Sequence, residues 1–148
     1  MTVVALGADH AGFELKNLFV EHLRARGHEV VDLGTHSPDR VDYPDFGVAV
    51  GRAVVAGRAE FGVCICGSGI GIAIAANKVG GVRAATVHDV TSAALSRQHN
   101  DANVCCIGAR LVGSQTALDA LDAFLTACFQ GGRHRPRVDK LNALLPHT

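Results

Sequence analysis

The sequence predicts an α/β protein in which helices cover both faces of one parallel sheet. Two observations lead to this fold class. Short apolar runs alternate five times with longer stretches of helical periodicity, and no linker or repeat interrupts them. The apolar runs are rich in Val, Ile and Cys, as is typical of strands buried on both faces. With 148 residues, 48% of them hydrophobic and 19% charged, the chain is expected to form one globular domain over residues 1–148.

Glycine and proline delimit the first two strand–helix units. Their predicted strands are the apolar segments 3–7 and 29–33. The first helix is predicted from its amphipathic spacing, and Gly27 ends it. Pro44 suits the first turn of the second helix. The two helices are therefore expected over residues 12–26 and 43–56, with a loop over residues 35–42 between the second strand and the second helix.

The later units follow the same pattern. Residues 61–66 form an apolar strand, and the glycine loop after it opens straight into an Ala/Ile-rich helix. The other two strands are expected over residues 84–87 and 104–108. The helices of these three units are residues 70–77, 91–98 and 114–128, and Pro136 is expected to start a last helix.

Five such units predict a three-layer, Rossmann-like fold with the flavodoxin-like strand order 2-1-3-4-5. In that order the first and third strands are neighbours, and their carboxyl ends frame a crevice of the kind that binds ligands in open α/β sheets. Asp9 and His10 follow the first strand, so both are expected beside the loop after the third strand. Asp9 can hydrogen-bond a ligand there, or it can simply cap the following helix.

The segment FGVCICGSGIGIAIAANK, residues 61–78, has the composition of an anion site. Gly67, Gly69 and Gly71 free backbone N–H groups at the start of a helix, where the macrodipole also favours negative charge. Cys66, the last strand residue, places a thiol against that site, and a helix N-terminus favours the thiolate form of a cysteine. On position alone, Cys66 is equally well explained as a packed core residue.

The spacing of this loop excludes several familiar phosphate sites. A dinucleotide fingerprint, GxGxxG, would need glycine at Ile72 or Ile74. A cysteine phosphatase would have an arginine where Ile72 stands, and a P-loop would add a lysine after the glycines. What remains is a loop suited to a small oxyanion, with a thiol beside it.

Charge and cysteine content narrow the possible partners. Lys+Arg and Asp+Glu both number 14, so no net field attracts nucleic acid or an anionic membrane, and a small polar ligand is expected. The N-terminus shows no signal-peptide pattern and no apolar run approaches 18 residues, which predicts a cytoplasmic protein without a membrane segment. Five cysteines without a CxxC pair indicate neither a zinc site nor a disulfide framework, and all but Cys66 are interpreted as packing residues.

Five motifs along the chain resemble one family. They are GADHAGFELK, DYPDF, CGSGIGIAIAANK, LSRQHNDANV and GGRHRPRV, in this order. Together they resemble the type B ribose-5-phosphate isomerases, a family that also includes galactose- and allose-6-phosphate isomerases. The resemblance covers nearly the whole chain and agrees with the fold predicted above. It implies an aldose–ketose isomerase that interconverts ribose 5-phosphate and ribulose 5-phosphate through an enediolate, a step of the pentose phosphate pathway.

The resemblance also implies roles for individual residues. Cys66 matches the base, and His99 matches the acid/base that opens the sugar ring. Arg133 and Arg137 match the phosphate clamp. The positions that match ligand-contacting residues are Asp9, His10, Gly67, Ser68, Gly69, Ile70, Gly71, Asn100 and Arg110, and the N–H groups of the glycine loop among them would hold the enediolate. No cofactor and no metal are implied.

Two branches of the family differ at the base. One branch has glycine at the position of Cys66 and a glutamate base at the position of Ile72, so this chain resembles the thiol branch. A six-carbon phosphosugar, allose or galactose 6-phosphate, is an alternative substrate. A phosphosugar-binding regulator without turnover and a thiol-nucleophile transferase or redox sensor are alternative functions.

His99 raises a question of assembly. It is expected in the turn between the fourth helix and the fifth strand, which in a parallel α/β unit lies at the opposite end of the sheet from Cys66. If both residues serve one site, the simplest arrangement is a two-fold homodimer, or a dimer of dimers, in which each His99 reaches its partner's site. The partners expected from the sequence are therefore a small phosphorylated sugar and a second copy of the chain.

Overall fold

Five parallel strands form one sheet between two layers of helices in the computed structural model, which describes residues 1–147. The strands are β1 (Val3–Ala8), β2 (Glu29–Asp32), β3 (Phe61–Cys66), β4 (Ala84–Thr86) and β5 (Val104–Gly108). The helices are α1 (Phe13–Ala25), α2 (Tyr43–Val55), α3 (Ile70–Asn77), α4 (Val90–Asn100), α5 (Ser114–Thr126) and α6 (Arg135–Leu144), with a short 3-10 turn over Gly132–His134. The predicted α/β class and the predicted succession of elements are confirmed.

The strand order is β2-β1-β3-β5-β4, so the expected order 2-1-3-4-5 is wrong in its last two positions. All five residues of β5 are buried, whereas the three residues of β4 are half-buried. A fully apolar strand gains most from a central place covered on both faces, and a short strand suits an edge. The predicted adjacency of β1 and β3 is confirmed, and their carboxyl ends meet at one edge of the sheet.

Two apolar layers hold the helices on the sheet. On one face, α1 and α5 bury Phe19, Leu121 and Phe124 against the strands. On the other face, Val50 of α2 and Ile72 of α3 pack on β3 and β5. Each such side chain contributes about 1.5–3 kcal/mol on burial. The sheet is therefore a firm platform for the loops at its carboxyl edge.

Two helix ends differ from the predictions by two residues each. Helix α4 runs to Asn100, so His99 lies in its last turn and not in the turn after it. Asp101 ends the helix in the left-handed region, with φ 47°. Helix α5 ends at Thr126 because Ala127 takes an extended backbone, and Cys128 beyond it is exposed. The expectation that Cys128 packs in the core is therefore wrong.

Within residues 1–147, none of the helices has the length and apolar character that a membrane crossing requires.

Candidate active site

A cleft of about 470 Å³ opens beside the carboxyl ends of β1 and β3. Cys66 ends β3, and Asp9 directly follows β1. The side chain of Arg110 enters from the turn after β5. The full lining consists of Asp9, Tyr43, Cys66, Gly67, Ser68, Ile70, Gly71, Arg110 and Leu111. The crevice predicted from the strand order therefore exists, and it contains a thiol, a carboxylate and a guanidinium.

Cys66 is the one thiol of the five that lines this cleft. Its side chain is nearly buried, and Sγ accepts a hydrogen bond from the Gly69 N–H at 3.2 Å. Cys64 and Cys106 face each other across β3 and β5 and are fully buried. A hydrogen bond between these two, together with burial, raises the pKa of the Cys106 thiol well above its usual value, so Cys106 stays neutral. The prediction that Cys64, Cys105 and Cys106 pack in the core is confirmed.

The loop after Cys66 is bound to the strands beside it. Gly69 has φ 74°, and a Cβ there would lie 2.8 Å from the backbone nitrogen of Gly108, so the position requires glycine. The Thr86 hydroxyl donates to the Gly69 carbonyl at 2.8 Å. The carbonyl of Cys66 accepts from Ala109 N–H at 2.9 Å. The loop is thus joined to the ends of both β4 and β5.

Two N–H groups of the loop are engaged by side chains of the loop itself. Gly69 N–H donates to Cys66 Sγ, and Ile70 N–H donates to Ser68 Oγ at 3.2 Å. Ser68 lines the cleft, so a ligand oxygen that replaced its hydroxyl would meet the Ile70 N–H at the start of α3. This is where the helix dipole favours a negative charge.

Asp9 holds the turn before α1 and also lines the cleft. Its Oδ1 accepts hydrogen bonds from Ala11 N–H at 3.0 Å and from Gly12 N–H at 3.2 Å, which stabilises the turn before α1. The same carboxylate lines the cleft. His10 is turned to a different neighbour, because its Nδ1 lies 3.2 Å from both the N and the O of Val41. His10 therefore ties the turn after β1 to the loop before α2.

Tyr43 and Leu111 line the cleft although sequence reasoning did not select them. A Cβ added to Gly71 would lie 2.6 Å from the Tyr43 ring, so this ring covers the start of α3. Tyr43 belongs to the DYPDF motif, one of the five motifs that resemble the family, so the sequence did contain a signal for this residue. Leu111 has no such signal, because its position depends on the turn that follows β5.

The remaining predicted site residues lie in a second group. His99 is in the last turn of α4, which runs back along the sheet for 11 residues, about 16 Å at 1.5 Å per residue. Its ring stacks on His134, with the ring centroids 4.2 Å apart and the planes at 14°. Arg133 and Arg137 flank His134 in the 3-10 turn and in α6. Asn100 lines a separate cavity of about 410 Å³ beside α6.

His134 belongs to this second group, although the sequence could not assign it a contact. It is 5% exposed, and within residues 1–147 its Nε2 has no hydrogen-bond partner. Burial lowers the pKa of His134, and so do the positive charges of His99, Arg133 and Arg137 beside it. Arg133 and Arg137, together with the two stacked histidine rings, form a cationic cluster that suits an anion such as phosphate.

Fold and cleft together define an α/β protein with a candidate site for a small oxyanion, beside a thiol, at the switch point of a parallel sheet. The chain belongs to the Ribose/Galactose Isomerase family, whose family model matches residues 4–141. The resemblance seen in the five sequence motifs is thereby confirmed.

Relatives and solved structures agree with this assignment. The chain is 49% identical over 144 residues to ribose-5-phosphate isomerase B of Escherichia coli (strain K12), and the match covers 97% of each chain. The ribose-5-phosphate isomerase B of Clostridium thermocellum superposes with a TM-score of 0.95 at 49% identity over 96% of each chain. The Mycoplasma genitalium enzyme with bound ribulose-5-phosphate gives a TM-score of 0.93 at 42% identity, covering 96% of this chain and 95% of that one.

Proposed function

We propose that this protein interconverts ribose 5-phosphate and ribulose 5-phosphate. The observation that carries the proposal is the Cys66 thiol in the cleft, beside the glycine loop that starts α3. The relatives named ribose-5-phosphate isomerase B, one of them with bound ribulose-5-phosphate, support the choice of substrate.

The chemistry follows from the residues of the cleft. Cys66, as thiolate, removes the proton from carbon 2 of the open-chain aldose and later returns it to carbon 1. Negative charge develops on the carbonyl oxygen as the enediolate forms, and N–H groups of the loop stabilise it. The proton of the carbon-2 hydroxyl passes to the carbon-1 oxygen, which leaves the carbonyl at carbon 2 and completes the isomerisation. Because two protons change place within one molecule and no electrons are gained or lost overall, the reaction needs no redox cofactor.

Replacement of the thiol tests this assignment. Cys66→Ala and Cys66→Ser are expected to abolish isomerisation and the exchange of the carbon-2 proton with solvent, while phosphosugar binding remains. Cys128→Ser is the matched control, because this thiol is exposed and lies outside the cleft. It should retain wild-type activity. If Cys66→Ala exchanges the carbon-2 proton with solvent at the wild-type rate, Cys66 is not the base.

The choice of sugar is tested with the unmodified protein. Ribose 5-phosphate, allose 6-phosphate and galactose 6-phosphate are compared by kcat/KM under one condition, and ribose 5-phosphate is expected to give the highest value. A higher value for either six-carbon sugar would assign the protein to that substrate. Binding of all three without turnover would make it a phosphosugar-binding protein.

A shared active site in a homodimer accounts best for the two separated groups of side chains. Cys66 lies at the carboxyl edge of the sheet, and His99 lies at the end of a helix that runs toward the opposite edge. Ile70 and Ile74, one turn apart on α3, are 54% and 57% exposed beside the glycine loop. Such an apolar strip is typical of a surface that another chain covers. In a two-fold dimer, each cationic cluster would then reach the partner's cleft.

Complementation tests the shared site. Cys66→Ala is expected to be inactive and His99→Asn to keep only a small residual activity on ribose 5-phosphate, and the two variants are co-expressed or refolded together. If the sites are shared, each mixed dimer regains one native site of two, and random equal mixing restores roughly a quarter of wild-type activity. If mixed dimers form and no activity returns, each site is built from one chain and the proposal is wrong.

A further inference from the structure

The two residues at the end of α4, His99 and Asn100, lie between an arginine and an aspartate that bind each other. Arg97 Nη1 donates to Asp101 Oδ1 at 2.8 Å and to the Ala102 carbonyl at 2.7 Å. Arg97 is 9% exposed, and its guanidinium lies 4.7 Å from the centroid of the Phe61 ring. A buried guanidinium on an aromatic face has little freedom, so it holds Asp101 in place.

Arg83 binds the same aspartate from the edge of the sheet. Its Nε donates to the Asp101 carbonyl at 2.8 Å, and its Nη2 lies 3.5 Å from Oδ2. Its Nη1 donates to Asn142 Oδ1 at 3.0 Å. Since Asn142 lies in α6, one guanidinium joins the end of α4 to the helix that carries Arg137.

Asp101 also sets the direction of the backbone. Among residues 1–147 it is the one non-glycine residue with positive φ, at 47°. Aspartate tolerates this left-handed conformation better than most residues, yet the conformation persists only where neighbours hold it. Here the N–H of Asp101 donates to the Arg97 carbonyl at 3.2 Å, and its side chain and carbonyl are held by two arginines. The last turn of α4, and with it His99, is fixed by these contacts.

We propose that Asp101 is a positioning residue for His99. Through Arg97 and Arg83, it holds the end of α4 so that His99, stacked on His134, keeps the orientation needed to open the sugar ring. Asp101 itself does not touch the substrate. The inference rests on the proposed function, in which Cys66 transfers the proton and His99 opens the ring.

The two substrates separate these steps. Ribose 5-phosphate forms a furanose and must be opened before its carbon-2 proton can leave. Ribulose 5-phosphate cannot form a furanose, because its carbon-5 oxygen carries the phosphate. Exchange of its carbon-1 proton with solvent therefore reports on Cys66 without ring opening. A loss confined to ribose 5-phosphate points to His99, whereas general misfolding affects both reactions.

Asp101→Gly keeps the left-handed backbone accessible and removes the carboxylate. We expect kcat/KM for ribose 5-phosphate to fall by about tenfold to a hundredfold, as displaced catalytic groups do, while proton exchange of ribulose 5-phosphate stays near the wild-type rate. Asp101→Asn keeps a hydrogen-bond acceptor and tolerates the left-handed backbone. Its kcat/KM for ribose 5-phosphate should therefore lie between the values of the wild type and of Asp101→Gly. Asp89→Ala is the matched control, because Asp89 caps the other end of α4 and its loss weakens the same helix far from His99. It should leave both reactions unchanged.

The double variant Asp101→Gly/His99→Asn shows whether Asp101 acts through His99. It is expected to be no less active on ribose 5-phosphate than His99→Asn alone, because a positioning effect vanishes with the group that is positioned. Equal losses on the two sugars, unchanged activity in Asp101→Gly, or additive losses in the double variant would each overturn the proposal. If Asp101→Gly does not fold, Asp101→Asn must show the same selective loss. A wild-type protein that converts neither sugar would instead refute the proposed function.

Discussion

Replacing Lys16 with methionine is expected to destabilise the protein through one buried ion pair. The Lys16 side chain is 1% exposed, and its Nζ lies 2.8 Å from both carboxylate oxygens of Asp32. Methionine keeps an apolar side chain in the core but leaves the carboxylate without its cation. Breaking a buried pair costs about 3–5 kcal/mol. Asp32 is 24% exposed and keeps a bond from Gly34 N–H at 3.0 Å, so we expect a loss near the lower limit, about 3 kcal/mol.

Urea unfolding measures this loss in the wild type, Lys16→Met, Asp32→Asn and the double variant. All four are compared at one protein concentration, because association of chains adds a concentration-dependent contribution to stability. The double-mutant cycle isolates the coupling between the two side chains. Lys140→Met is the control at an exposed lysine and should change stability by less than about 0.5 kcal/mol. A coupling energy between Lys16 and Asp32 of no more than about 0.5 kcal/mol would show that this ion pair does not stabilise the fold as expected.

The effect of Lys16→Met should also depend on pH. Burial raises the pKa of the Asp32 carboxyl, but hydrogen bonds from Lys16 and Gly34 outweigh it and place the pKa below its usual value of 3.8. A carboxyl with a depressed pKa contributes stability above its unfolded pKa and loses it as the pH falls through the folded pKa. The difference between wild type and variant should be complete at neutral pH and shrink below about pH 4. A difference that does not change over this range would indicate lost packing and not lost charge.

Two further predictions concern the site. Arg133→Ala and Arg137→Ala should each weaken binding of the phosphorylated sugar by about 1.5–3 kcal/mol and spare any activity on unphosphorylated ribose; equal losses on both sugars would make these arginines structural. Gly69→Ala should lower kcat and stability together. The added Cβ is strained at a φ of 74° and would lie 2.8 Å from the Gly108 nitrogen, so the loop must shift and displace the Gly69 N–H that binds Cys66 Sγ. Gly113→Ala is its control, since a Cβ there meets open space, and comparable losses in both variants would contradict the assigned role of Gly69.

Most secondary structure could be predicted because its signals are local. Strand β3 and helix α3 were predicted with the bounds that the structure shows, since a run of apolar residues, three glycines and an Ala/Ile-rich segment follow one another within 17 residues, Phe61–Asn77. The order of β4 and β5 could not be obtained in this way. Which strand takes the edge depends on how much apolar surface each buries against both helix layers, and that comparison involves the whole sheet.

The sequence by itself determined the fold class and the thiol beside a glycine loop at Cys66, because both depend on residues close together in the chain. The neighbouring β1 and β3 strand ends followed from the strand order that is typical of this fold class. Tertiary structure alone decided that the Tyr43 ring lies over Gly71, and that Asp9 both stabilises the turn before α1 and lines the cleft. It also decided that His99 stacks on His134 while Arg83 reaches Asp101. These contacts join segments far apart in sequence, and they form only when the packing of helices on the sheet brings those segments together.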